Sequence, residues 1–219
     1  MQKNKNEGSY SRAFENSRKR MQQLSPDKIS KSSLIQYDWL KNCLVFESFG
    51  QEIEISYPEG QVCFKGTDEK LVLFGWDLML LNYLSNSKEL PVKNEWVSYR
   101  ELPQGNVFYP NIKTHVLEAL SQFFTESNKK LIRNALAKLG FIFVESKADI
   151  AATAKFVPRV PVLIQFWEGE DEVPSSCQIL FDRTIADQMH IEDAAGLCSL
   201  IKELIITQYC IEKNQVSGA

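Results

Sequence analysis

Four carboxylates stand where they could do chemistry. Asp182 closes the apolar run from Cys177, and Glu192-Asp193 open the next amphipathic stretch, so three acids could meet where a strand hands over to a helix. Two carboxyl groups held close can share a proton or divide the work of general acid and base. Asp77 differs, because its neighbours at three and four residues are Leu73, Phe74, Leu80 and Leu81. A carboxylate in such company must be paired, protonated or set at the edge of a cavity. The ordinary alternative is that acids near a helix start satisfy backbone N–H groups and the helix dipole.

The segment from Trp96 to Tyr109 is the second candidate, since it gathers Trp96, Tyr99, Arg100, Glu101, Phe108 and Tyr109 in or beside turns. Aromatic rings with one guanidinium and one carboxylate can form a pocket for a planar or anionic ligand. They also serve plain loop packing. The acidic loop Glu168-Gly169-Glu170-Asp171-Glu172 offers oxygens to a hard cation but lacks the spacing of a calcium loop, so it reads as a solvated hairpin tip and no metal site is expected. His115 and His190 fall in no ligand pattern, and each reads as a packing residue; the five cysteines form no Cys-x-x-Cys pair, and most of them read as small core residues. No P-loop, Gly-x-Ser-x-Gly elbow or Gly-x-Gly-x-x-Gly turn occurs.

These residues need a frame. Residues 9 to 24 carry Tyr10, Ala13, Phe14, Ser17, Met21 and Leu24 at helical spacing, and Ser25-Pro26-Asp27 then starts a short second helix. From Cys43 the period changes to two. Cys43–Phe49, Glu52–Tyr57 and Gln61–Phe64 read as strands of an antiparallel meander, with turns at Gly50-Gln51 and Pro58-Glu59-Gly60. A central helix is expected over Glu69–Asn86, capped by Thr67 or Asp68, to cover the meander. After a short extended segment at 96–102, two helices from about Asn111 to Leu139 read as a helical hairpin. A second β region starts at Phe141–Val144, and Val160–Trp167 and Cys177–Asp182 should pair as a hairpin. A last helix runs from Ile191 to about Ile211, with frayed residues after Asn214. The fold class is α+β: antiparallel sheet regions packed against a central helix, a helical hairpin and a C-terminal helix.

A chain of 219 residues with a net charge of −3 can bury a sizeable core but has no basic field to draw nucleic acid. We expect an N-terminal helical arm over 1–32 and an α+β domain over 33–219, either single or built as packed lobes at 33–105 and 106–219. The longest apolar run, Leu71–Leu84, is broken by Asp77 and Asn82 and is too short for a bilayer, and no secretory leader is visible. A cytoplasmic protein with no membrane partner is expected.

Leu81-Asn82-Tyr83-Leu84, Trp96-Val97-Ser98-Tyr99-Arg100-Glu101-Leu102-Pro103, Pro161-Val162-Leu163, Glu170-Asp171-Glu172-Val173-Pro174, Leu180-Phe181-Asp182 and Glu192-Asp193 together resemble a family of anaerobic bacteria and archaea described only as a domain of unknown function. The likeness runs from Ser25-Pro26-Asp27 to the last helix. Some members of that family are fused to an N-terminal cysteine-rich iron–sulfur module, whose motif the five cysteines here do not match. The resemblance implies a setting in anaerobic redox or corrinoid metabolism and a corrinoid or iron–sulfur protein partner. It transfers no catalytic residues, and the cofactor stays unknown. Three functions follow as expectations: a non-catalytic ligand-binding or accessory protein using Trp96–Tyr109 and Asp77, an enzyme using clustered carboxylates, or an interaction module without a small ligand.

Overall fold

The computed structural model describes residues 10–170 and 172–217. The first nine residues of the expected arm, Asp171 of the acidic loop and the last two residues lie outside it. Helix α1 (Ser11–Gln22) turns Phe14, Ser17 and Met21 inward at steps of three and four. Helix α2 (Pro26–Ser33) starts at its proline, with Ser25 Oγ accepting the Lys28 N–H at 3.3 Å. Strands β1 (Gln36–Asp38), β2 (Cys43–Ser48), β3 (Gln51–Ser56) and β4 (Val62–Lys65) then form an antiparallel sheet in chain order. Ile53 and Ile55 are fully buried, so β3 has the one inner face that its alternation implies.

The turn between β2 and β3 falls one residue earlier than its glycine suggests. Ser48 pairs with Gln51, which leaves Phe49 and Gly50 as the two turn residues, with φ of 45° and 68°. Positive φ at both positions is what a type I′ hairpin demands, and it matches the strand twist. Phenylalanine is an unusual occupant, and the preference of asparagine or glycine for this site explains why Phe49 reads as strand.

Helix α3 (Trp76–Asn86) is shorter than expected. Asp68 caps only a single 3-10 turn at Glu69–Leu71, and the true start is Gly75, whose φ of 83° redirects the chain. The helix is apolar nearly all round, with Trp76, Leu80, Leu81, Tyr83 and Leu84 wholly buried, as a central helix must be.

The second sheet is built from β5 (Trp96–Ser98), β6 (Ile142–Phe143), β7 (Ile150–Val157), β8 (Val160–Trp167) and β9 (Ser176–Asp182) in the order β5-β9-β8-β7-β6, all antiparallel. The expected β8–β9 hairpin is present. Strand β7 is not visible in the sequence, because Ala151, Ala152 and Ala154 carry little strand preference; burial of the strand between β6 and β8 supplies what propensity lacks.

Helix α4 (Tyr109–Ile112) continues through a π-helical stretch, Lys113–Glu118, into α5 (Ala119–Glu126); α6 (Lys129–Lys138) follows and lies along the C-terminal helix. His115 is exposed, not core-facing, because the wider π turn rotates it outward, while its carbonyl accepts Lys202 Nζ at 3.1 Å. After the short α7 (Ile185–Gln188), α8 (Ile191–Ser217) runs past the expected end near Ile211. By length and composition Ile191–Gln215 could cross a membrane, but half of its apolar window is buried within the protein, where Leu197, Ile201, Leu204 and Ile205 join the core. One contiguous set of buried side chains runs from Phe14 and Met21 through both sheets to Tyr209, giving an α+β fold.

The two sheets meet at Phe49. Its N–H donates to the Lys155 carbonyl of β7 at 3.0 Å, and its ring lies about 6 Å from those of Trp76, Phe141 and Phe156. Beside it the β2–β3 turn touches the chain that leaves α6. A Cβ on Gly50 would fall 2.9 Å from the Gly140 nitrogen, and one on Gly140 would fall 2.8 Å from the Gly50 nitrogen. Gly140→Ala is therefore expected to destabilise the protein by about 2–4 kcal/mol, through both positive φ and backbone collision, measured as a lowered urea midpoint with unchanged slope.

Candidate functional site

Three of the carboxylates singled out in the sequence, Asp182, Asp193 and Asp77, are buried or bonded into the local frame. Asp182 is buried at the end of β9 and accepts the Lys93, Asn94 and Thr184 N–H groups at 3.2, 2.6 and 3.0 Å and the Thr184 hydroxyl at 2.5 Å. Burial pushes its carboxyl up, but the Thr184 hydroxyl and the three N–H donors outweigh it and hold the group below the usual range. Asp193 in the first turn of α8 accepts Asn82 Nδ2 at 3.1 and 3.2 Å, and Asn82 Oδ1 in turn accepts Ser17 Oγ at 2.5 Å and Arg20 Nη2 at 2.9 Å. This chain of bonds ties α1, α3 and α8 together. Burial pushes the Asp193 carboxyl above its ordinary value, more than Asn82 draws it down. Glu192 is exposed.

Asp77 is buried in the first turn of α3, not mid-helix, and accepts the Leu78 N–H at 2.9 Å. The late helix start explains the difference, since an acid at a helix N-terminus is favoured by the dipole. Among the described residues, no three His, Cys, Asp or Glu side chains gather as they would around a metal ion.

The Trp96–Tyr109 segment also performs structural tasks. Glu101 closes a capping box on Ser98, accepting its N–H at 2.7 Å and its hydroxyl at 2.8 Å, and these bonds hold its carboxyl low. Tyr99 is buried, with its hydroxyl donating to the Ile191 carbonyl at 3.0 Å, and burial pushes its phenol up to about 12. The Arg100 guanidinium stacks 5.7 Å from the Tyr109 ring centre, and Trp96 stands on edge strand β5, partly exposed. Leu102, Pro103 and Gln104 of this stretch face a recess of about 210 Å³ shared with His190 and the start of α8. In the acidic loop, Glu168 pairs with Lys129.

A wider and more open recess lies elsewhere, at the end of the first sheet that carries the β1–β2 and β3–β4 turns. Asp38 ends β1 and accepts the Leu40 and Lys41 N–H groups at 2.9 and 3.1 Å, which folds the turn tightly and projects Trp39 outward. Trp39 is 64% exposed. Its ring meets that of Tyr37 edge to face at 4.7 Å and 83°, and Tyr37 meets Tyr57 at 6.1 Å and 90°. The three rings border an open cavity of about 580 Å³, with Pro26 and Pro58 also in its wall. Tyr57 is anchored by its hydroxyl to the Leu24 carbonyl at 3.0 Å, and Tyr37 donates to Asn42 Oδ1 at 3.3 Å. Burial, with Tyr57, Cys43 and the Glu59 carboxylate nearby, pushes the Tyr37 phenol up, so it remains a donor. Lys41 belongs to Glu54, which it shares with Lys65 at 3.1 and 2.8 Å; both ammonium groups hold that carboxyl low.

Nothing in the sequence singles out this recess. Tyr37 lies in β1, Trp39 in the turn that follows it and Tyr57 just past β3, so only the pairing of β1, β2 and β3 brings the three rings together.

The fold and this site define a two-sheet α+β protein with an aromatic recess on a sheet edge. The chain belongs to the family described as a domain of unknown function, DUF3786, whose model matches residues 25–203. No curated protein and no solved structure matches it.

Two substitutions test the structural reading of the acids. Asp182→Asn should destabilise by about 2–4 kcal/mol at neutral pH, because it turns an amide nitrogen toward buried donors. A carboxyl held low stabilises the fold above its unfolded pKa and loses that contribution as pH falls through the folded value. The deficit of the variant should thus shrink in urea titrations carried below about pH 4. Asp193→Asn should have the opposite sign. With a folded pKa raised by burial, stability falls as pH rises through the range between the unfolded and folded values, so removing the charge should leave neutral-pH stability equal or higher while Asn82 keeps an acceptor.

Proposed function

We propose that this chain is a non-catalytic, cytoplasmic ligand-binding or accessory protein and that the recess bordered by Tyr37, Trp39 and Tyr57 is where it binds. One observation carries the reading: an indole left 64% exposed beside an open cavity, met edge to face by Tyr37, which is in turn met edge to face by Tyr57. Preformed aromatic concavities of this kind hold ligands through ring faces, at little conformational expense. The carboxylate-enzyme reading has less behind it, since Asp182 is saturated by four donors and Asp193 is bonded to Asn82. The setting in anaerobic redox or corrinoid-linked metabolism, with a corrinoid or iron–sulfur protein as partner, rests on the family resemblance alone.

The four tryptophans make the test direct. Protein labelled with 5-fluorotryptophan should give four fluorine resonances, assigned by substitution. On titration with a panel of ring-bearing compounds that includes hydroxocobalamin, proline and maltose, the Trp39 signal should move saturably while that of buried Trp76 stays fixed. A panel in which only the Trp96 resonance moves would return the site to the 96–109 segment. One that moves neither would remove the basis for a binding recess.

A further inference from the structure

Helix α1 packs along α3 through a narrow seam: of its twelve residues only Phe14, Ser17 and Met21 are buried, and the middle one is a serine. Polar bonds supply the rest of the attachment. On α3, Asn82 Oδ1 accepts both Ser17 Oγ at 2.5 Å and Arg20 Nη2 at 2.9 Å. Two apolar anchors on either side of a hydroxyl hold a helix less firmly than the core elements are held, and a segment attached in this way opens locally before the fold does.

The C-terminal half of α1 fastens the β3–β4 turn. Gln22 Nε2 donates to the Pro58 carbonyl at 3.0 Å, and Arg18 Nε donates to the Gly60 carbonyl at 3.2 Å. The approach is close: a Cβ on Gly60 would fall 2.9 Å from Arg18 Cγ and 3.3 Å from Met21 Cε. This turn is also a wall of the aromatic recess, which Ser56, Tyr57, Pro58 and Glu59 line. Its backbone path is held by the Gly60 N–H on the Ser56 carbonyl at 2.9 Å and the Tyr57 N–H on the Asn42 carbonyl at 3.0 Å. The Tyr57 ring is held differently. Apart from its edge contact with Tyr37, its anchor is the bond from its hydroxyl to the Leu24 carbonyl at 3.0 Å. Leu24 in turn belongs to the end of α1, since its N–H donates to the Met21 carbonyl at 3.0 Å. Undocking α1 would therefore take away the donors on Pro58 and Gly60 and the acceptor of Tyr57 together.

Resting on the binding role given to this recess above, we infer that α1 is its latch: the recess keeps its shape only while α1 is docked on α3, and a molecule that fills the recess holds α1 down. The two effects are one coupling seen from either end, because a docked helix that improves binding must itself be stabilised by binding.

Two variants of the whole chain loosen α1 without touching the recess: Phe14→Ala removes a buried anchor, and Arg20→Ala removes the bond from an exposed residue to Asn82, so that it should fold whatever the first does. Amide hydrogen exchange should be faster in α1 by about a hundredfold in Phe14→Ala, the equivalent of one lost buried ring, and by less in Arg20→Ala, with β8 unchanged in both. In protein labelled with 3-fluorotyrosine, the Tyr57 resonance, assigned by substitution, should shift or broaden in the same order while that of Tyr209 stays fixed. Whichever of hydroxocobalamin, proline and maltose moves the Trp39 fluorine resonance should bind about tenfold more weakly to Phe14→Ala and, at saturation, slow α1 exchange in the parent by the same factor. Faster α1 exchange with an unmoved Tyr57 resonance overturns the latch and leaves the recess as a binding site. Exchange of α1 only together with β8 overturns it as well. A Trp39 resonance that no probe moves ends the binding role alone, and the latch is then decided by the Tyr57 resonance, which needs no ligand.

Discussion

The structure depends on a phenylalanine held in a conformation that phenylalanine disfavours. At φ 45° Phe49 occupies the left-handed region, at an expense of roughly 1–2 kcal/mol for a residue with a Cβ. Burial of its ring between Trp76, Phe141 and Phe156 offsets this, since enclosing a large aromatic side chain is worth about 1.5–3 kcal/mol. The same residue joins the sheets by its N–H to Lys155, and its neighbour Gly50 lets the α6 exit pass within contact distance. A turn that would ordinarily face water has become the point where the two halves of the chain are fastened.

With the sheets fastened there, the helices are placed by buried polar contacts as much as by packing. Arg159, in the β7–β8 turn, donates to the Ser32, Leu90 and Lys31 carbonyls at 2.6, 2.6 and 3.3 Å, and Tyr83 donates to the Ser33 carbonyl at 2.6 Å. The C-terminal end of α2 is thus capped by groups from β-sheet and central helix, as orphan carbonyls there require. Two residues, Leu34 and Ile35, separate this capped end from β1.

Much of the fold was legible because periodicity reports burial. The alternation in β3, the apolar circumference of α3 and the stripe of α8 all read directly as element type, and α+β followed. What failed was governed by tertiary context. Alanine-rich β7 is a strand only because β6 and β8 flank it; the α3 start moved to Gly75 because capping by Asp68 was used on a 3-10 turn; Phe49 is a turn residue because a core waits for its ring. The candidate site was less legible still. Acids and aromatics attract notice by type, yet Asp182, Glu101 and Tyr99 proved to be bonded into the frame, while the rings of the recess come from β1, the turn after it and the turn after β3. Reading those together needs strand register, which single-sequence patterns do not supply.

Helix α8 has a consequence for how the protein is made. Its Leu197, Ile201, Leu204 and Ile205 fill the centre of the core, yet it is synthesised after every strand of both sheets. Until those residues emerge from the ribosome, the nascent chain lacks the side chains that complete its core. Such a chain presents a surface that holding chaperones recognise, and a product truncated before residue 197 would stay in that state and aggregate.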